Sequence, residues 1–547
     1  MSEKNKDTFL QGAATLGIAG VVGKLLGAIF RIPLVWIIGS VGLGYYQTAY
    51  PIYVMLVAIA TSGFPVAISK MVSARLAIGD KQGADRVFWL VFKIMAAFGI
   101  IASAAIFFGA DYLVTERFRN PKAYPALIAL VPAILFVPLM ASFRGYFQGH
   151  NDMRPSAISQ VIEQLARVVF GIVLAIALAP KGLEYGAAGA TFGATAGAIT
   201  GLGVMLYLYI KRDKGGSSDG LAVEQLAFEP ESTKHILKEL LTIALPIIIG
   251  ALVMPTMNMI DLALVMGRLE AAGFSNEVAN SMYGQLTGMA ATLINLPQVI
   301  TSAIAVSLVP VISAAYAIGN REKLKHNTNL AIRVSLLIGL PAAVGLFVLS
   351  TPIIQLLYPN EPAASVGQLL AIMSIGVVFL SLIQSFTSVL QGMGRAHIPV
   401  INLFIGAGVK IVLTFVLTGI SWLNVKGAAI STVSAYIVAA TLDYISVRAF
   451  TNLKADFNLV ILKPLITAGF MGICARGSYE IIMLALGFTG LSAFGQNAIA
   501  TLSGVLIGGL VYVFTLFRIK AITIEELESM PKGQKMVNKL KKLKIVK

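Results

Sequence analysis

The chain has 547 residues, of which 57% are hydrophobic and 12% charged, with a formal net charge of +16. A soluble domain carries roughly 25% charged residues, so this composition excludes a soluble fold, and helix-length apolar runs without strand-length alternation exclude a β-barrel. A single cysteine, Cys474, excludes a disulfide framework or a Cys-rich metal site.

The polar N-terminus, Met1 to Asp7, leads into an apolar stretch too long for a cleavable signal. About fourteen spans follow, at approximately 9–38, 44–69, 86–110, 124–146, 155–179, 186–210, 236–266, 280–312, 329–350, 364–392, 398–420, 426–449, 458–486 and 493–518. The first, seventh and eighth are long for one crossing and are expected to tilt or project. Fifty-two glycines suit close packing of membrane helices. Gly63-Phe64-Pro65 in span two, Pro246 and Pro255 in span seven, and Pro297 in span eight are expected to interrupt their helices.

The basic surplus is not a nucleic-acid patch, because it lies in alternate short connections. With the N-terminus inside, those connections hold Lys70, Arg75, Lys81 and Arg86, then Arg144 and Arg154, then Lys211, Arg212 and Lys214, and on through Arg395, Arg448 and Lys454. The opposite connections are poor in cations, which places both termini in the cytoplasm. The Gly-Gly-Ser-Ser-Asp-Gly run between Lys211 and Lys234 reads as a flexible linker.

The two halves look duplicated at an offset of about 240. Gln148-Gly149 matches Gln391-Gly392, and nineteen residues after each Gln stands a cation, Arg167 or Lys410. Gly186-Ala187-Ala188 matches Gly427-Ala428-Ala429, and Ala77-Ile78-Gly79 matches Ala317-Ile318-Gly319. Six spans per half is an even number, so the repeats are parallel. The predicted fold is an all-α membrane protein: an N-lobe over 1–222 (helices 1–6), a C-lobe over 223–450 (helices 7–12) and a central cavity between them. Two further helices occupy 451–519, and a basic cytoplasmic tail 520–547.

Ionisable residues inside the spans cost perhaps 2.5–3.5 kcal/mol each at the bilayer centre, so they mark a cavity or a partner. Lys24 and Arg31 lie two turns apart on span one, with no acid in that span to answer them, and are candidates to line a polar cavity. Arg167 and Lys410 lie at mid-span. Glu163 stands four residues before Arg167, and an intrahelical ion pair is the simplest account. Lys93 and Arg333 read as cations snorkelling to the surface, and Asp443 as interfacial. Asp261 either pairs with Arg31 as an external gate or is a helix-end acid in water. A surplus of cations suits an anionic cargo, and Arg can grip two phosphate oxygens at once. There is no Walker loop, no Gly-x-Ser-x-Gly and no ligand spacing among the histidines, so no enzyme, metal or cofactor is expected.

The stretch Arg144-Gly145-Tyr146-Phe147-Gln148-Gly149-His150-Asn151-Asp152-Met153-Arg154-Pro155, with Ser159-Gln160-Val161-Ile162-Glu163-Gln164 and Arg167, resembles the polysaccharide-biosynthesis exporters of the stage V sporulation protein B type. Ala60-Thr61-Ser62-Gly63-Phe64-Pro65 and Ala67-Ile68-Ser69-Lys70 fit the same group. That group belongs to the multidrug/oligosaccharidyl-lipid/polysaccharide exporter superfamily, with MurJ-type lipid II flippases as relatives. The resemblance spans essentially the whole chain. It implies a flippase for an undecaprenyl-pyrophosphate-linked cell-wall precursor, lipid II or a related lipid-linked sugar, working by alternating access in the bacterial cytoplasmic membrane. Lys24, Arg31, Arg167 and Lys410 would bind the pyrophosphate, and spans thirteen and fourteen would form a groove for the lipid tail, with Arg476 at its headgroup. The expected partners are that substrate and membrane lipids, with the protein monomeric. The alternatives are a cation-coupled multidrug exporter of the same superfamily, for which Glu163 and Asp261 are the available acids, and a non-transporting assembly subunit.

Overall fold

The computed structural model describes residues 3–215, 231–452 and 458–519. Most of the predicted linker, Lys454 and the basic tail lie outside the described residues. Among the described residues regular structure is helical, without strands. The helices are α1 (Glu3–Ser62), α2 (Phe64–Ala77), α3 (Lys81–Tyr112), α4 (Tyr124–Ile128), α5 (Val131–Gly149), α6 (Arg154–Leu178), α7 (Leu183–Gly215), α8 (Thr233–Ala271) and α9 (Asn276–Gly284). There follow α10 (Ala291–Ala317), α11 (Arg321–Val348), α12 (Ser350–Leu357), α13 (Ala363–Gly392), α14 (His397–Thr418), α15 (Val425–Thr451), α16 (Lys463–Leu486) and α17 (Ala493–Arg518). Thirteen stretches among the described residues are long and apolar enough to cross a membrane, and the first, Thr15–Ala77, is 63 residues. That length accommodates two crossings, which accounts for the fourteen predicted spans.

Packing divides the chain into two units, Met1–Gly288 and Met289–Lys547. The first unit therefore includes α8 and α9, which pack on α1. The lobe boundary expected at 222 falls outside the described residues.

The duplication is visible in local structure. α2 ends at a left-handed Gly79 (φ 87°), and Asp80 then caps α3 by accepting from the Gly83 N–H. Gly319 (φ 67°) and Asn320, which accepts from the Lys323 N–H, do the same before α11. A left-handed glycine stops one helix and an Asx side chain starts the next. At Gly149 an added Cβ would lie 2.8 Å from the Val72 side chain, and at Gly392 it would lie 2.7 Å from that of Ile312. The paired glycines thus let α5 pack closely on α2, and α13 on α10.

Three readings of helix continuity change. No loop separates spans one and two: α1 passes through both and breaks at Gly39 alone (φ 61°, ψ −174°), a conformation almost confined to glycine. The break at Gly63 occurs as expected, between α1 and α2. α8 and α10, by contrast, carry through Pro246, Pro255 and Pro297.

Candidate functional site

A ladder of small residues sets the position of the charged face of α6. At Gly193, Gly197 and Gly201 of α7 an added Cβ would come within 2.5 Å of the Arg167 carbonyl, 2.6 Å of the Glu163 carbonyl and 2.6 Å of the Met140 sulfur. Spacing of four keeps these glycines on one helix face, and the two backbones meet there. α1 covers another side of α6, with Gly23 against Gln164. Together the two contacts hold Glu163 and Arg167 towards α1 and α5.

Glu163 is 7% exposed and takes two cations. Its Oε1 accepts from Arg167 at 3.4 Å and its Oε2 from Arg144 at 2.9 Å. Arg144 also donates to Ser159 Oγ from Nε and Nη2 at 2.9 and 2.7 Å. Arg167 donates to the Tyr53 hydroxyl at 3.0 Å and to the Tyr50 hydroxyl at 3.5 Å. The Arg31 guanidinium lies 5.8 Å from the centre of the Tyr50 ring, whose other neighbour in the stack is Tyr46 at 5.1 Å. Tyr50 thereby links Arg31 to Arg167, so a third guanidinium stands one ring away from the two that hold the Glu163 carboxylate. The Arg167 Nε is buried without a hydrogen-bond partner. An unmade hydrogen bond of this kind costs about 1–3 kcal/mol, more near a charge, and an anionic oxygen would satisfy it.

The structure thus brings Arg31, Arg167 and Glu163 together, and the predicted Glu163–Arg167 pair is present. Lys24, on the same helix as Arg31, is exposed and has no hydrogen bond or ion pair among the described residues. Lys410 belongs to the second unit, on α14, and is only 2% exposed. Asp261 is 7% exposed within α8, in electrostatic reach of Tyr283, so it is not a helix-end acid in water. Arg476 is exposed on α16, where it pairs with Glu480 one turn on and donates to the Val348 carbonyl at 3.3 Å.

Two further readings are corrected. Arg333 does not snorkel to a surface, being 4% exposed inside the second unit. Asp443 is not interfacial: it is fully buried and accepts from Asn402 Nδ2 at 2.8 Å. In both cases helix packing, which hydropathy does not register, decides the burial.

The sequence pattern places Arg144 in a connection, yet it lies within α5 and completes the cluster. The tyrosines were missed altogether. Their spacing, at 46, 50 and 53, places three hydroxyl-bearing rings on one helix face and is the signal that would have found them.

One end of the first unit holds a second polar assembly. Ser40 and Ser281, 241 positions apart, are 2.9 Å apart at their hydroxyls. Asn280 Nδ2 donates to the Val41 carbonyl at 2.7 Å, next to the Gly39 break. Asn120 Nδ2 donates to Thr48 Oγ1 at 2.8 Å and to Asn280 Oδ1 at 2.7 Å. Gly284 and Gly44 let the helices meet: an added Cβ would lie 2.2 Å from the Ser40 carbonyl oxygen at the first and 2.3 Å from Asn280 Oδ1 at the second. Residues at the repeat offset thus face each other, as at a two-fold axis.

Glu231, His235 and Glu239 bring possible ligand atoms within 4.8 Å of one another. Arg75 already bonds both glutamates, at 2.5 and 3.1 Å, which makes this an ion-pair knot rather than a metal centre.

A sequence profile described as polysaccharide biosynthesis protein matches residues 9–316, and one described as MatE matches residues 246–416. Stage V sporulation protein B of Bacillus subtilis is 27% identical, over 88% of this chain and 92% of its own. Lipid II flippase MurJ of the same organism is 28% identical, over 93% of this chain and 95% of its own. Among solved structures, lipid II flippase MurJ in an inward closed conformation superposes with a TM-score of 0.68 at 17% identity, covering 92% of this chain and 98% of that one. An inward-facing multidrug resistance MATE family transporter of the MOP superfamily gives 0.65 at 18% identity, covering 78% and 94%. The fold is therefore that of multi-pass membrane transporters.

Proposed function

We propose, from the fact that this chain belongs to the polysaccharide biosynthesis protein family, that it is a flippase for an undecaprenyl-pyrophosphate-linked cell-wall precursor, lipid II or a related lipid-linked sugar. The observation that carries the reading is the Arg31–Tyr50–Arg167 assembly, in which two guanidiniums share one carboxylate, a third lies over the Tyr50 ring, and Arg167 keeps a buried donor unmade. A pyrophosphate fits that surplus. It brings several anionic oxygens, and the low dielectric of a buried site strengthens each contact.

In this mechanism Lys24, exposed and unpaired, meets the headgroup first. The pyrophosphate then displaces the tyrosine hydroxyls as acceptor for Arg167 and draws Arg31 from the Tyr50 ring. Closure at one end and opening at the other release it on the far side, outward if the charge asymmetry of the connections sets the orientation. Lys410, the repeat counterpart of Arg167, would join only in a state that uncovers it. Asp261 would act with Arg31 in gating. α16 and α17 would hold the lipid tail, and Arg476, paired with Glu480, would contribute mostly packing there. No covalent step is involved.

The test is flipping of a lipid-linked oligosaccharide in proteoliposomes. Lys24→Ala and Arg31→Ala should each abolish it, with insertion and melting unchanged. Full activity in the double variant would overturn the cationic-site model. The MatE match supports a second reading, a cation-coupled multidrug exporter. It would be favoured if the protein restored drug resistance to an exporter-deficient strain but moved no lipid-linked sugar.

A further inference from the structure

The second unit contains a cavity of about 740 Å³ between the early turns of α11 and the last turns of α15, lined by Lys325, Asn329, Tyr444, Ile445, Arg448, Ala449 and Asn452. None of its lining residues is among those assigned to cargo above. Its lining carries two cations and no carboxylate. Neither Lys325 nor Arg448 has a side-chain hydrogen bond or ion pair among the described residues. The Asn329 Oδ1 is buried without a partner. Exchanging the amide oxygen and nitrogen would leave that end of the side chain equally unsatisfied.

The repeat shows what this space holds when it has no ligand. At an offset of 240, Lys325 corresponds to Asp85, Thr328 to Phe88 and Asn329 to Trp89. In the first unit the region carries a cluster of rings, with Phe88 buried and Trp89 exposed at its edge. Phe88 lies 4.6 Å from Tyr146 and 5.2 Å from Trp89, and Phe143 lies 5.4 Å from Tyr209, centre to centre. Asp85 there accepts from the Tyr146 hydroxyl at 3.5 Å. In the second unit Phe88 and Trp89 give way to the smaller polar Thr328 and Asn329, and the acid to Lys325, while Phe386 and Tyr444 keep a ring contact at 6.0 Å. Loss of filler alone would leave a neutral void. Reversal of charge, together with an unpaired arginine across the gap, makes a receptor for an anion.

We propose that this cavity is a binding site for a phosphate group, carried either by an anionic phospholipid or by a soluble phosphate. Arg448 offers a planar fork to two oxygens, Lys325 a point charge and the asparagines neutral hydrogen bonds. Ile445 is 56% exposed beside them, which suits an acyl chain leaving the headgroup. The bound anion would bridge two helices that otherwise scarcely touch.

The experiment uses the full chain in detergent, with native mass spectrometry and thermal melting against three probes: phosphatidylglycerol, phosphatidylcholine and inorganic phosphate. Wild type should retain phosphatidylglycerol over phosphatidylcholine, or melt higher in phosphate, and the probe that acts identifies the source. The Lys325→Gln/Arg448→Gln pair should weaken that response by about tenfold or more. Asn329→Trp, which restores the first unit's filler, should weaken it without removing a charge. Lys323→Gln, on the same helix but outside the lining, should leave it unchanged. The proposal is overturned if the double variant responds as wild type does, if no probe acts, or if Lys323→Gln is as damaging as the pair.

Discussion

Gly284→Ala offers a quantitative test of the small-residue contact between α1 and α9. The new Cβ would lie 2.2 Å from the Ser40 carbonyl oxygen and 2.8 Å from the Gly44 nitrogen. Both are backbone atoms, so no rotamer change relieves the overlap, and the helices must part by about 1 Å to restore ordinary contact. Overpacking of this kind costs about 1–3 kcal/mol. Separation also stretches the Ser40–Ser281 bond at 2.9 Å and the Asn280–Val41 bond at 2.7 Å. A penalty of about 2 kcal/mol borne only by the state closed at this end shifts its population about thirtyfold. The reporter is oxidative cross-linking of Ser40→Cys with Ser281→Cys in a Cys474→Ser background, where hydroxyl proximity predicts rapid bonding. Gly284→Ala should slow cross-linking by about that factor. Asn280→Ala, which removes bonds without adding bulk, should slow it in the same direction. Cross-linking at the wild-type rate in both variants would refute the reasoning.

Glu163→Gln leaves Arg144 and Arg167 facing a neutral amide. Loss of a buried partner of this kind costs about 3–5 kcal/mol, so its melting temperature should drop clearly, whereas Glu163→Asp should recover part of the loss. Arg167→Lys keeps the charge but gives up the fork that reaches Tyr50 and Tyr53, and cargo affinity should fall about tenfold with melting little changed. Burial, reinforced by Arg212 and opposed by a hydrogen bond to the Tyr146 carbonyl, holds the His150 imidazole below its ordinary value of 6.5. The unfolded chain therefore takes up the proton first. Stability should decline as pH falls through about 6.5 and level off below the depressed folded value, and a pH series of melting curves should lose that slope in His150→Gln.

Hydropathy located the spans because an apolar segment of membrane length has few alternatives to a helix. The repeat was equally legible. Gly79 and Gly319 stand at matching positions because each stops a helix in the left-handed region, a local demand written in one residue. Gly39 misled because a short gap between apolar runs reads as a loop, while one glycine is enough to redirect a helix. The cations divided according to their tertiary neighbours. Arg31 and Arg167 were found by their depth. Arg144 was read as a loop charge because it sits beside a polar motif at a span end. Lys410 and Arg333 show that a mid-span cation can be buried by packing rather than lining open space. Glu480, the partner of Arg476, is readable at one helical turn from it.

In the flippase cycle proposed above, the hydroxyls of Tyr50 and Tyr53 bear on a step that must be completed without cargo. After release, Arg167 must make the return journey with its charge intact. A guanidinium stripped of ligands inside a bilayer would make that return the slowest event in the cycle. Glu163 and the two phenols would act as stand-ins in that cycle, ready when the cargo departs yet weak enough to yield when it comes back. Conversion of both tyrosines to phenylalanine would therefore burden the empty protein more than the loaded one, and the deficit would appear in repeated turnover before it appeared in binding.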